Sequence, residues 1–119
     1  MDSVVTLLAA LALAVPPKAT LDTGAARVPL AISSWCWRSR CGAPIARSTR
    51  AAAVPAGTLV AVELAFVPTR VHLAVGGKAL PVSKRGRVVS WRVHRGGGLT
   101  LTATGSRGWV TYVGRLKVS

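Results

Sequence analysis

The sequence predicts an all-β protein, an antiparallel β-sandwich of about seven short strands that follows an N-terminal signal helix. Three observations carry this prediction. After residue 57, apolar and polar residues alternate with a period of two in one segment after another, as in half-buried strands. Gly-containing turns separate these segments at intervals of about 8 to 12 residues, the spacing of a sandwich. After residue 20, the apolar residues show no 3.6-residue helical period.

The composition limits both the size of the fold and the kind of partner. A chain of 119 residues suits one domain with a modest core, and the 50% apolar content favours a packed fold. Sixteen Lys and Arg stand against three acids, which gives a formal net charge of +13. Such an excess favours anionic partners: nucleic acid, anionic lipid or acidic cell-envelope polymers. The same excess of positive charge is equally consistent with an arginine-rich composition that only keeps the protein soluble.

The N-terminal segment has the features of an export signal. The apolar run Val4 to Val15 is shorter than the roughly 20 residues that span a bilayer, but it has the length of a secretory h-region. Ala12-Leu13-Ala14 supplies the small-x-small pattern of a signal peptidase site, which predicts cleavage after Ala14. The segment before the run carries Asp2 and no Lys or Arg, unlike most export signals. A true start upstream of Met1, or a buried N-terminal helix, is the alternative.

These features predict three regions: a signal peptide at 1–14, a tether at 15–27 and a β-sandwich domain at 28–119. The tether prediction rests on its content of Ala, Pro, Thr and Gly. We expect a monomer that is secreted or held at the cell envelope, with no stable transmembrane span after cleavage.

The strand pattern also predicts which side chains point inward. Val28 to Ile32 suits a first strand, with Pro29 keeping it at a sheet edge, and Ala43 to Gly57 is expected to be a loop. The residues predicted to face the core are Val60, Val62, Leu64 and Phe66; Val71, Leu73 and Val75; Val89, Trp91 and Val93; Leu99, Leu101 and Ala103; and Val110, Tyr112, Leu116 and Val118.

Cys36 and Cys41, the two cysteines of the chain, are predicted to form a disulfide that shapes a loop. Closing so small a ring contributes roughly 2 kcal/mol in the chain-entropy model. A zinc site is disfavoured because the two histidines are distant in sequence. The C-x4-C spacing also differs from the C-x-x-C of redox proteins.

The residues around this disulfide are candidates for binding. In a strand, Trp35 and Trp37 would share a face, beside Arg38 and Arg40, and such rings can stack on sugars or bases. The alternative is that both rings cover the end of the sandwich and pack on the disulfide. Trp109 is opposite in phase to the core residues of its strand and is expected to be partly exposed.

A more diffuse basic surface is predicted from the remaining cations. They occupy outward strand positions or the predicted basic turn Ser83 to Arg87, and they would share the binding of an anionic partner. The candidates are Arg70, Lys84, Arg85, Arg87, Arg92, Arg115 and Lys117.

Two stretches carry a resemblance to a known family. The run Gly98 to Thr104, a Gly-containing turn and Trp109 to Val118 resemble the last two strands of bacterial immunoglobulin-like domains. Ser34 to Trp37, with a second Cys shortly after, is similar to a pattern in uncharacterised exported bacterial proteins of that type. The resemblance implies an immunoglobulin-like fold over Val28 to Ser119 and an extracytoplasmic location, but no activity. It departs from antibody domains, whose disulfide bridges the two sheets.

Signals of catalysis are poor, so we expect no enzyme, no cofactor and no metal. Apart from Asp2 and Asp22, the only carboxylate is Glu63, which excludes paired-carboxylate catalysis within the sandwich domain. Glu63 and His72 could form a catalytic pair only if their strands were neighbours. Two solvated surface residues are the simpler interpretation. Gly96-Gly97-Gly98 precedes a strand and lacks the ending of a phosphate-binding loop.

The sequence therefore favours a non-catalytic exported or cell-envelope domain that binds an anionic surface or a protein partner. One alternative is a basic nucleic-acid-binding protein, against which the export signal argues. Another is a protease inhibitor that presents Arg38 and Arg40 on the Cys36–Cys41 loop.

Overall fold

The computed structural model describes residues 15–42, 44–45 and 50–119. Over these residues the chain forms twelve strands and no helix, arranged as one sheet of five strands and one of seven. This confirms the all-β prediction. The predicted signal helix at 1–14 lies outside the described residues.

The strands are more numerous than the sequence predicts, and five of them have only three residues. Their bounds are β1 (Ala19–Asp22), β2 (Arg27–Pro29), β3 (Ala31–Trp37), β4 (Arg40–Gly42), β5 (Ala52–Val54), β6 (Leu59–Leu64), β7 (Arg70–Val75), β8 (Lys78–Leu80), β9 (Ser83–Arg85), β10 (Val88–Arg92), β11 (Gly97–Gly105) and β12 (Gly108–Val118).

The five-stranded sheet has the order β2-β1-β6-β10-β9, and every pair in it is antiparallel. The seven-stranded sheet has the order β4-β3-β12-β11-β7-β8, also antiparallel. Its seventh strand, β5, pairs in parallel with the end of β12, where Leu116 lies opposite Ala52.

The inward faces of both sheets form a single hydrophobic cluster. Val60, Val62 and Leu64 of β6 are at most 2% exposed, and they share the cluster with Leu99 and Leu101 of the other sheet. The two sheets therefore pack face to face around one core. The period-two pattern predicted these faces correctly, although Phe66, Val71 and Val118 are only partly buried.

The predicted tether at 15–27 is wrong, because part of it is a core strand. Ala19–Asp22 forms β1 between β2 and β6, and the side chains of Ala19 and Leu21 are 2% and 1% exposed. Strand β1 is held by pairing with β6, some forty residues later in the chain, so its local sequence carries little sign of it.

Three further segments differ from the prediction. The expected strand Val28 to Ile32 is interrupted at Leu30, where the chain leaves the five-stranded sheet at β2 and enters the other sheet at β3. Pro29 does lie on an edge strand. The expected loop Ala43 to Gly57 contains β5, and the basic turn Ser83 to Arg87 contains β9. Strands of three residues are too short to show a period.

Candidate functional site

The disulfide closes a hairpin at one end of the sandwich. Cys36 on β3 lies directly opposite Cys41 on β4 and is bonded to it, which confirms the predicted disulfide. Arg38 and Ser39 make the turn with φ angles of 51° and 66°. Positive φ at both central residues is the conformation of a two-residue type I′ hairpin turn. The disulfide therefore holds a tight turn, at which Arg38 and Arg40 are exposed.

This hairpin is fastened to the turn between β11 and β12. The backbone N–H of Arg38 donates a 2.8 Å hydrogen bond to the carbonyl oxygen of Arg107. At the start of β12, Gly108 has φ +148°, and a Cβ there would overlap the carbonyl of Cys36. The absence of a side chain at Gly108 thus lets β3 approach, and it brings Arg38 and Arg107 to the same end of the fold.

The two tryptophans of the hairpin lie on the inner face of β3. Trp37 is 8% exposed, and its ring meets that of Phe66 edge to face, with centroids 4.9 Å apart. Trp35 is half-buried against the core, and its indole covers Gly42 so closely that a Cβ at Gly42 would overlap the ring. Trp37 is therefore part of the core and packs on Phe66, so Trp35 and Trp37 do not form a pair of exposed rings for stacking. Trp109 is half-buried on the outer face, as its phase predicts.

Three turns converge beside this hairpin and form a cleft of about 510 Å³. Its cationic lining comes from Arg38, from Arg107 and from Arg87 of the β9–β10 turn. We call this cleft the arginine cleft. The rest of its lining is mostly apolar and comprises Val15, Pro17, Trp37, Ala65, Phe66, Val67 and Ser106. Among the described residues, no carboxylate lines it.

The described carboxylates lie elsewhere and share one partner. Arg27 on β2 forms ion pairs of 3.3 Å with Asp22 and 2.9 Å with Glu63. The hydrogen bond and charge of Glu63, with a smaller contribution from Asp22, raise the pKa of Arg27 above its usual value. Within the described ranges, no other Lys or Arg makes an ion pair with a side-chain carboxylate. The rest of the basic surface is therefore not neutralised internally.

The structure distributes the predicted binding residues over the whole molecule. The side chain of Lys84 is already hydrogen-bonded within the protein, since its Nζ donates to the carbonyl oxygens of Pro68 at 3.2 Å and Thr69 at 3.0 Å. Arg92 donates to the carbonyl oxygen of Gly57 at 3.0 Å. The remaining cations of the predicted set are exposed: Arg38, Arg40, Arg70, Arg85, Arg87, Arg115 and Lys117.

The arginine cleft unites Arg38 and Arg87 with Arg107, which the sequence reasoning missed. Arg107 lies in the turn Gly105 to Gly108, recognisable as a turn from its glycines. This turn lies next to Arg38 because β12 pairs with β3, and no local sequence pattern predicts that pairing. Arg115 is not near them, because it lies opposite Gly98 at the other end of the β11–β12 hairpin.

The cross-strand contact considered between Glu63 and His72, for which two solvated surface residues are the simpler interpretation, does not form. Although β6 and β7 are consecutive, they belong to different sheets, and Glu63 pairs with Arg27 while His72 lies opposite Thr102. Over the part of the chain that the structure describes, no group of three or more His, Cys, Asp or Glu residues is arranged to hold a metal. No helix in that part has the length and apolar character to cross a membrane.

Comparison with protein family models, with curated proteins and with solved structures finds no match for this chain. The assignment of function therefore rests on the residues and geometry described above.

Proposed function

We propose that this protein is a non-catalytic, exported domain of immunoglobulin-like fold that binds anionic partners at the cell envelope through its arginine-rich surface. The observation that carries the proposal is the distribution of charge. Asp22 and Glu63 are both paired with Arg27, so the other described cations face solvent without a carboxylate partner. A surface of that kind attracts polyanions and discriminates among them weakly.

The strand order supports the immunoglobulin-like part of the proposal. β1, β6, β10 and β9 stand in the order that strands A, B, E and D take in such domains. β7, β11 and β12 stand in the order C, F and G, with β8 added beyond β7. Strands β2, β3 and β4 are then an insertion after the first strand. The disulfide belongs to this insertion, whereas in antibody domains it joins the two sheets.

The start of the described fold supports export. Pro16 is buried, and the carbonyl oxygen of Pro17 accepts a hydrogen bond from the core residue Tyr112. Cleavage after Ala14 would therefore remove the apolar run except for Val15 and leave these contacts in place. The disulfide suits an oxidising compartment outside the cytoplasm.

The protease-inhibitor alternative gains no support from the loop geometry. A peptide recognised by strand addition presents an extended backbone. Arg38 and Ser39 instead have left-handed backbone conformations, and the N–H of Arg38 is already bonded to Arg107.

Retention on anionic supports tests the proposed function. The full chain is applied to a polyphosphate matrix, to isolated cell-wall material and to an uncharged matrix of the same kind, at several salt concentrations. We expect retention on both anionic supports only, weakening steeply as salt screens the charges. Equal retention on the uncharged matrix, or affinity that salt does not change, would contradict the proposal.

A further inference from the structure

We propose that the arginine cleft binds the phosphate headgroups of an anionic lipid surface, so that this end of the sandwich faces a membrane. The inference rests on the proposed function of anion binding, and it names both the ligand class and the site.

The first support is the chemistry of the three arginines. A guanidinium group presents a planar fork of N–H donors that matches a phosphate, and it keeps its charge at any physiological pH. Arg38, Arg87 and Arg107 are exposed and line the same cleft. Because no described carboxylate lines this cleft, their donors are free to bind an external anion.

The second support is that the backbone at all three positions is already held. The disulfide closes the hairpin that carries Arg38, and the Arg38 N–H is bonded to the carbonyl of Arg107. The carbonyl oxygen of Arg87 accepts a 2.8 Å hydrogen bond from the N–H of Leu64. Binding an anion therefore orders side chains only, which lowers the entropic cost of association.

The third support is the apolar surface in the same cleft, which selects lipid over a wholly polar polyanion. Val67 is 59% exposed and Val15 is 54% exposed, and both line the arginine cleft. A polysaccharide or a nucleic acid backbone would leave these side chains against a polar ligand. Exposed apolar groups beside cations are instead the combination that binds the headgroup region of an anionic bilayer.

The fourth support is the place where the chain enters the fold. The apolar run Val4 to Val15 reaches the described structure at Val15, inside the lining of the cleft. Cleavage after Ala14 would leave the free amino group of the mature chain on Val15, which adds a positive charge at the cleft. The sequence and the charge distribution thus direct the same end towards the membrane.

Vesicle binding tests this inference with a charge-matched control. The mature chain, which begins at Val15, is mixed with vesicles of equimolar phosphatidylglycerol and phosphatidylcholine, or of phosphatidylcholine alone, and the bound fraction is measured by co-sedimentation. The cleft variant carries Arg38→Gln, Arg87→Gln and Arg107→Gln. The control variant carries Arg95→Gln, Arg115→Gln and Lys117→Gln, which removes the same charge. Arg95 lies beside Gly76, which is hydrogen-bonded to Gly98 opposite Arg115, so the control residues lie at the other end of the β11–β12 hairpin. Circular dichroism and thermal melting establish that both variants fold.

We expect the cleft variant to lose about 100-fold in affinity for the anionic vesicles, at about fivefold for each cation at the surface. The control variant should lose far less. Seven residue steps of β11 separate Gly98, opposite Arg115, from Gly105 at the cleft, roughly 23 Å at about 3.3 Å a residue. That distance exceeds a Debye length of about 10 Å. Binding to phosphatidylcholine alone should be unchanged in either variant.

The apolar part of the proposal is tested separately. Val67→Ser should weaken binding to the anionic vesicles several-fold, because it removes an apolar side chain from the headgroup region. Leu59→Ser is the matched control, since Leu59 is 56% exposed and lies opposite Arg92, away from the cleft. Equal effects of the two changes would overturn the apolar contact.

The remaining outcomes separate the inference from the proposed function. Equal losses in the two triple variants would overturn the cleft and leave diffuse anion binding in place. Retention on the anionic matrices without binding to anionic vesicles would overturn the lipid ligand alone. Release from vesicles by glycerol 3-phosphate at millimolar concentration, while inorganic sulfate has no effect, would make a free phosphate ester the ligand and overturn the membrane source. Binding to neither support would reject the proposed function itself.

Discussion

The hydroxyl group of Tyr112 donates a 2.7 Å hydrogen bond to the carbonyl oxygen of Pro17. Tyr112 is fully buried on β12, and this burial raises the pKa of its hydroxyl group well above the usual value. Pro17 lies three residues after the predicted cleavage site. The bond therefore fixes the beginning of the described chain to the centre of the seven-stranded sheet.

The first prediction concerns this bond. Tyr112→Phe should lower the free energy of unfolding by about 1–2 kcal/mol, because it removes the hydrogen bond and leaves the carbonyl of Pro17 unpaired. Chemical denaturation at neutral pH measures the change. A variant as stable as the original protein would show that the carbonyl is satisfied by water.

The raised pKa of Tyr112 adds a pH dependence to the same comparison. Above about pH 10 the unfolded state loses the tyrosine proton, whereas the folded state keeps it. The contribution of Tyr112 to the free energy of unfolding is therefore complete below about pH 10 and falls as the pH rises further. Tyr112→Phe should remove that part of the decline. The chain has a single tyrosine, so the ultraviolet absorbance of the ionised tyrosine side chain reports the titration of Tyr112 alone.

A second prediction concerns the disulfide. Reduction of Cys36–Cys41 should lower the free energy of unfolding by about 2 kcal/mol, since it releases a short loop in the unfolded chain. Without reductant, an alkylating reagent should label neither cysteine. Denaturation with and without reductant measures the first effect, and mass spectrometry the second. Free, reactive thiols in protein recovered from outside the cell would contradict both.

The close approach at Gly108 gives a third prediction. Gly108→Ala should destabilise the fold by at least about 2 kcal/mol, because the new Cβ meets the carbonyl of Cys36 and the backbone φ is positive. Gly98→Ala in the same hairpin is the control, since a Cβ there meets nothing within 4 Å. It should be neutral or stabilising by about 0.5 kcal/mol. Equal melting temperatures for the two variants would rule out the steric account.

The fourth prediction concerns processing. Protein recovered from outside the cytoplasm should begin at Val15, because Ala12-Leu13-Ala14 precedes that residue and cleavage there keeps the buried Pro16 and the hydrogen bond of Pro17. N-terminal sequencing of fractionated cells tests this directly. Intact Met1 on a cytoplasmic protein would remove the export part of the proposed function.

The sequence determined those features that depend on near neighbours in the chain. The alternation at Val60, Val62 and Leu64, and again at Leu99 and Leu101, predicted buried faces that the structure confirms. Successive side chains of a strand point to opposite faces whatever the strand pairs with, so this property is local. The disulfide could be predicted from the sequence equally well, because the two cysteines lie five positions apart and neither has another cysteine to pair with.

The tertiary structure decided what depends on which strands become neighbours. It placed β6 and β7 in different sheets, which separated Glu63 from His72, and it made a core strand of Ala19–Asp22. It also brought Arg38, Arg87 and Arg107 into one cleft, although each lies in a separate turn of the sequence. Strand pairing is set by the burial of the whole core, and that free energy is shared among segments far apart in the chain, so no local pattern contains it.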